Sequence, residues 1–126
     1  MTPIQPNETL TAGIIGAVFE VSNVLGCGFL ESVYHRALLS ELNLRGIKAA
    51  SEVPLPVYYK EHSVGKFLAD ILVEDIIILE LKCVEGLRDE HIAQCINYLR
   101  ASHLKLCLLI NFQKPRAEWR RVVLNL

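Results

Sequence analysis

The run Ile76-Ile77-Ile78-Leu79-Glu80-Leu81-Lys82-Cys83 constrains the fold of this chain more than any other stretch. It is apolar enough to be a strand in the middle of a sheet. Yet two charges interrupt it, two residues apart. Side chains two apart on a strand leave the same face, so Glu80 and Lys82 stand side by side on a segment whose neighbours are buried. Partly buried charges are costly unless they are paired or hold a cation.

The rest of the chain reads as helices, strands, one helix and more strands. Its 126 residues correspond to one domain, and 52% hydrophobic residues supply ample material for a core. Residues 1 to 8 form a polar leader with two prolines, ahead of a single domain over 9–126. Asn7 or Thr9 can cap a first helix along which Leu10, Ile14, Val18, Val21 and Leu25 recur at helical spacing. Gly26-Cys27-Gly28 breaks it. A second helix is expected from about Leu30 to Leu44, ended by Arg45-Gly46. Residues 47 to 60 look extended, with Pro54 and Pro56 marking an edge strand or an interrupted one. Strands follow at 64–73 and 76–83, joined at Glu74-Asp75, then a helix from about Asp89 to Ser102. Strands from Leu104 to Phe112 and from Trp119 to Leu124 close the chain.

Asp70 gives the charged strand its chemistry. If 64–73 and 76–83 pair as a hairpin, Asp70 lies diagonally near Glu80, at roughly 7–8 Å. Two carboxylates in that range can share a divalent cation through oxygen ligands. Lys82 can then orient or stabilise an attacking water or a phosphate. Mg²⁺ suits this inventory, because it takes few carboxylates and keeps waters and phosphate oxygens as its other ligands.

Two helical constellations point to the same place. In Gly28-Phe29-Leu30-Glu31-Ser32-Val33-Tyr34, a glycine turn leads into a helix with Glu31 in its first turn and Tyr34 on the same face. In His91-Ile92-Ala93-Gln94-Cys95-Ile96-Asn97-Tyr98, Gln94 and Tyr98 share one face and His91 lies nearly on it. Polar groups aligned on a helix that packs on a sheet suggest a lined site.

Gly28, Glu31 and Tyr34 together spell the pattern of the GxxExxY proteins. Asp70 with Glu80-Leu81-Lys82 resembles the PD-(D/E)XK nuclease superfamily, and Gln94 with Tyr98 resembles the Gln-x-x-x-Tyr element of its RecB-like branch. The resemblance runs from about Leu10 to Leu124. It departs from the family pattern at Leu68, where an arginine often stands, at Ser22, where a histidine is common, and at Cys27, in place of a proline. It implies an α/β fold with a restriction-endonuclease-like core, a mixed β-sheet flanked by α-helices. It further implies Mg²⁺ or Mn²⁺ at Asp70 and Glu80 with Glu31 completing the acidic cluster, Lys82 polarising water, Gln94 orienting the lysine or a phosphate, and Tyr98 bracing the helix. The expected activity is hydrolysis of nucleic-acid phosphodiesters, DNA foremost. A module on the same fold that binds nucleic acid or protein without cleaving is the alternative.

Plainer readings apply to each feature. Asp70, Glu80 and Lys82 can form a cross-strand ion-pair cluster. Glu31 can complement the helix dipole. Gln94 and Tyr98 can be helix packing with a hydrogen-bonded phenol, Tyr34 is expected to pack, and His91 divides between a solvated residue and a substrate contact. Lys114, Arg116, Arg120 and Arg121 can touch a phosphate backbone or simply face solvent. The net charge of −1 lowers the expectation of a general nucleic-acid-coating protein without excluding a nuclease. The uninterrupted apolar runs fall short of the roughly 20 residues that cross a bilayer. No basic-then-apolar leader opens the chain, and its four cysteines have no Cys-x-x-Cys spacing. The expectation is therefore a cytoplasmic protein with reduced thiols and no membrane partner. A homodimer built on strand 104–112 and the first helix is a further possibility.

Overall fold

The computed structural model describes residues 7–124. Two helices open the chain, α1 (Glu8–Leu25) and α2 (Glu31–Leu44). Three strands follow, β1 (Ala49–Tyr59), β2 (His62–Val73) and β3 (Ile77–Lys82). Then come α3 (Asp89–Ser102), β4 (Leu106–Asn111) and β5 (Glu118–Val123). The strands form one mixed sheet in the order β1-β2-β3-β4-β5. Only β3 and β4 run parallel, and α3 supplies the crossover that parallel neighbours need. The α/β architecture and nearly all the expected elements are present. Helix α1 starts at Glu8, and residues 1–6 of the polar leader lie outside the described residues. Thr9 sits inside α1. Asn7 occupies the cap position in a left-handed conformation, but its side chain makes no capping bond.

The sheet separates two cores. On one side, α1 and α2 pack Ile14, Val18, Tyr34 and Leu38 against Ile71, Leu79, Leu108 and Ile110. On the other, α3 lays Cys95, Tyr98 and Leu99 over Ile78, Cys107, Leu109 and Val122. Across 18 residues α1 is long and apolar enough to cross a membrane, with a mean hydropathy of 1.2. Short apolar runs alone did not foretell this. Its stripe of Thr11, Ile14, Ala17, Val18, Val21 and Ser22 is buried in the core, as in an amphipathic core helix.

The proline pair marks an edge. β1 pairs only with β2 and is the first strand of the sheet. Pro54 and Pro56 share an alternation, so both missing N–H groups fall on one side of a strand whose outer side has no ladder to lose. Strand β4 contradicts the proposed dimer surface. It lies between β3 and β5, and Cys107 to Phe112 are all buried, so it offers no face to a second copy.

Candidate active site

The hairpin between β2 and β3 turns at Glu74 and Asp75, both left-handed (φ 52° and 61°), with Ile76 N–H donating to the Val73 carbonyl at 3.0 Å. Both residues take the positive φ typical of tight hairpin turns, and Ile76 is a third loop residue before the ladder begins. The register that follows pairs Val73 with Ile77, Leu72 with Ile78 and Ile71 with Leu79. One more step places Asp70 directly opposite Glu80, not diagonally from it. The regular ladder has ended there, and the Leu81 N–H donates to Asp70 Oδ2 at 2.8 Å. Asp70 is thus fixed to the charged strand by its side chain.

Asp70 also marks a change of side. Ile71 and Val73 pack with α1 and α2, whereas Phe67 and Ala69, of the same alternation, pack with α3. Across β1 the same reversal separates Ala49 from Val53 and Leu55. Between them Glu52 adopts φ 52°, and the Glu52–Asp70 pair is missing from the ladder. A kinked, locally unpaired residue of this kind bends the strand and re-aims side chains. Asp70 is therefore the point at which the strand switches sides.

Glu80 is 3% exposed, and its Oε1 is buried without a hydrogen-bond partner. Its Oε2 lies 3.8 Å from Lys82 Nζ. Burial pushes the Glu80 carboxyl up to about 9. The hydrogen bond and charge of Asp70 push the same way, and Lys82 and Tyr98 only partly offset them. Tyr98, buried in its turn, accepts from Gln94 Nε2 at 2.9 Å, and burial and the charge of Glu80 raise its phenol. Since the Tyr98 oxygen accepts from Gln94, its own proton is free for Glu80. Among the described residues the one hydrogen bond of the Gln94 side chain goes to Tyr98, so the structure links Gln94 to Glu80 through that phenol.

Glu31 approaches from the other layer. It opens α2, whose body packs on the α1 side of the sheet, yet it feels the charges of Asp70 and Lys82. Desolvation raises its carboxyl first, Asp70 adds to the rise, and Lys82 and His35 oppose it. Among the described residues no group of three or more His, Cys, Asp or Glu side chains is close enough to hold a metal. Glu31 therefore stands near the Asp70–Glu80 pair without forming a three-carboxylate cluster with it. Tyr34 is structural, as expected. It is fully buried and stacks on Phe112 with ring centroids 4.7 Å apart. Its hydroxyl donates to the Gly26 carbonyl and accepts from Phe29 N–H. Gly28 (φ 113°) supplies the bend that this tether closes, so Gly28 and Tyr34 together place the helix start that carries Glu31.

An aspartate, then a glutamate and a lysine two apart on a central strand, backed by a Gln–Tyr helix, form one constellation. Over residues 8–122 the sequence matches the PD-(D/E)XK nuclease superfamily. The chain belongs to this superfamily. A solved structure titled "Crystal structure of SSO0001" resembles it with a TM-score of 0.61 at 20% identity, over 95% of this chain and 60% of that one. At that identity the likeness carries the fold, which is α/β and restriction-endonuclease-like. No curated protein matches the chain.

Other residues of this PD-(D/E)XK member serve the frame. His91 Nδ1 accepts from the Arg88 N–H at 2.9 Å, reaching back to the start of α3. This capping role occupies one ring nitrogen of a residue read as either solvated or a substrate contact. Asn111 had been given no role. It is fully buried, and its side chain bonds Val84 N–H and carbonyl, Gln113 N–H and Glu118. Paired in register with Lys82, it fastens the chain just beyond that lysine. The signal was available: an amide ending an otherwise apolar strand needs partners. Arg116 lies over the Phe19 ring at 4.5 Å, while Lys114, Arg120 and Arg121 are exposed. Ser22, at the position where the family often has histidine, accepts from Ala117 N–H inside the core.

Proposed function

We propose that the protein hydrolyses nucleic-acid phosphodiesters with a divalent cation held by Asp70 and Glu80. The observation that carries this reading is Glu80 Oε1, a buried carboxylate oxygen with no partner beside a second carboxylate. Such an atom is costly unless something positive meets it. Two hard oxygen donors fit Mg²⁺ or Mn²⁺, which accept one or two carboxylates and complete their shell with water and phosphate oxygens. When bound, the cation would supply Lewis acidity to the phosphate and lower the pKa of a water.

The chain's own residues supply the rest. Glu80 surrenders its proton when the cation binds. Lys82, partly exposed beside it, holds a positive charge where negative charge develops on the phosphate. Gln94 and Tyr98 hold Glu80 in place from α3, and Glu31 adds negative charge at the rim. Gly28, Glu31 and Tyr34 support assignment to the GxxExxY branch, and DNA is the proposed substrate.

Purified protein should cut DNA with Mg²⁺ or Mn²⁺. Lys82→Ala should lower cleavage on the order of 10²-fold or more while calorimetry still detects the cation. If wild type and Lys82→Ala share the same residual cleavage, the activity belongs to a contaminant. Binding of nucleic acid without any cleavage would instead make this a non-cleaving module.

A further inference from the structure

On the α3 side of the sheet, the β1–β2 ribbon and the second half of α3 enclose a pocket of about 420 Å³. Tyr58 and Phe67 line it from the ribbon, and Asn97, Arg100 and His103 from the helix. Phe67 is the link to the candidate site. Its ring lies 5.2 Å from that of Tyr98, which in turn bears on Glu80. Two aromatic rings, Phe67 and then Tyr98, thus connect the pocket to the buried carboxylate.

Its charge is the reverse of the site's. Arg100 and His103 line it from α3, and that helix contains no acidic residue from His91 to Ser102. Between Pro56 and Leu68 the ribbon has Lys60 and Lys66 against Glu61 alone. Tyr58 and Tyr59 are 62% and 64% exposed, and Lys60 lies over the Tyr59 ring at 5.4 Å. Open aromatic faces interleaved with cations are the platform on which single strands stack, since every base has a π-face. A duplex keeps its bases stacked and paired, so filling a recess between ribbon and helix would first require unstacking.

We propose that this pocket receives an unpaired base of a single-stranded nucleic acid, with Tyr58 stacking on the base, Asn97 bonding its edge and Arg100 meeting a neighbouring phosphate. The occupant is defined by chemistry alone: a flat ring with hydrogen-bonding edges, attached to an anion. The proposal deepens the nuclease reading and rests on it for the direction of the strand, which continues from the pocket towards Asp70 and Glu80.

The test measures anisotropy of a short dye-labelled single-stranded DNA, its RNA counterpart and the blunt DNA duplex, with full-length protein in EDTA and again in Ca²⁺. At least one single strand should bind about 10-fold or more tightly than the duplex. Tyr58→Ala should weaken that binding roughly 5- to 100-fold and leave the duplex nearly unchanged. Arg100→Ala should reduce the dependence of log affinity on log salt by about one unit. An abasic residue scanned along the strand should reproduce the Tyr58→Ala loss at one position and not add to it there. Unchanged single-strand affinity in both variants, or equal loss at every abasic position, overturns the pocket. Preference for the duplex does so too. The two readings fail separately. Mg²⁺-dependent cleavage that ignores Tyr58→Ala removes the pocket and keeps the nuclease. Tyr58-dependent, abasic-sensitive binding without cleavage keeps the pocket and removes the nuclease.

Discussion

The two faces of this sheet solve opposite problems. The α1–α2 face buries aliphatic and aromatic side chains, and its largest buried phenol, Tyr34, satisfies its hydroxyl locally. The α3 face buries less and carries Glu80, Tyr98, Cys95 and Cys107 under one helix. There Cys107 is held well above the usual thiol range by its hydrogen bond with Cys95 and by burial. One face is built for stability. The other accepts a buried carboxylate with an unpartnered oxygen, which has no stabilising role in the metal-free protein. Stability and chemistry are thus divided across the thickness of a single strand, β3, whose Leu79 and Leu81 look one way and Glu80 and Lys82 the other.

If that division holds, substitutions on the two faces should differ in kind. The largest stability loss should come from Phe112→Ala, which removes the ring stacked on Tyr34. A cost of about 3–5 kcal/mol is expected in denaturant unfolding. A loss below about 1 kcal/mol would mean that this face is not the anchor.

Glu80→Gln should do the reverse. In the native state Glu80 keeps a proton up to about 9, whereas the unfolded chain loses it near the ordinary 4.5. Between these values the folded state binds more protons, so raising the pH removes stability, by at most about 1.4 kcal/mol per unit. Thermal melts of the metal-free protein should fall through that window. Glu80→Gln should flatten the slope, melt higher than wild type at neutral pH, and lose the rise that Mg²⁺ gives the wild type. A wild-type melting temperature independent of pH would remove the contrast between the faces.

The smallest effect belongs to Gln94→Ala. It removes one hydrogen bond to Tyr98, worth about 0.5–1.5 kcal/mol. Cleavage should decline several-fold with metal affinity little changed. A loss as large as that of Lys82→Ala would show that Gln94 touches the substrate directly.

Much of this arrangement was legible in the sequence. Period-two alternation gave Glu80 and Lys82 a common face, helical spacing gave Gln94 and Tyr98 theirs, and Pro54 and Pro56 marked the edge. What escaped depended on long-range partners. The kink at Glu52 is a positive φ at a residue with no turn signal around it, so nothing local announced that the ribbon changes sides at Asp70. The service of Asn111 to the loop beyond Lys82 joins residues 27 apart. The direct opposition of Asp70 and Glu80 required the register, which the three-residue turn Glu74-Asp75-Ile76 sets. His91 was read from its helix face, while its nearest demand was the open N–H at the start of its own helix.

The switch at Asp70 has a dynamic consequence. Residues 62–69 of β2 pair with β1 alone, whereas Ile77 to Leu79 of β3 and the whole of β4 are paired on both sides, and Glu80 to Lys82 are paired with β4. Amide protons of β3 and β4 should therefore exchange with solvent only on global unfolding, and those of the ribbon through smaller openings. Asp70 sits on the border between these two cooperative units. A ribbon that frays and recloses would carry Asp70 with it while Glu80 and Lys82 stay with the rigid unit, so the separation of the two carboxylates would be set by a local opening equilibrium.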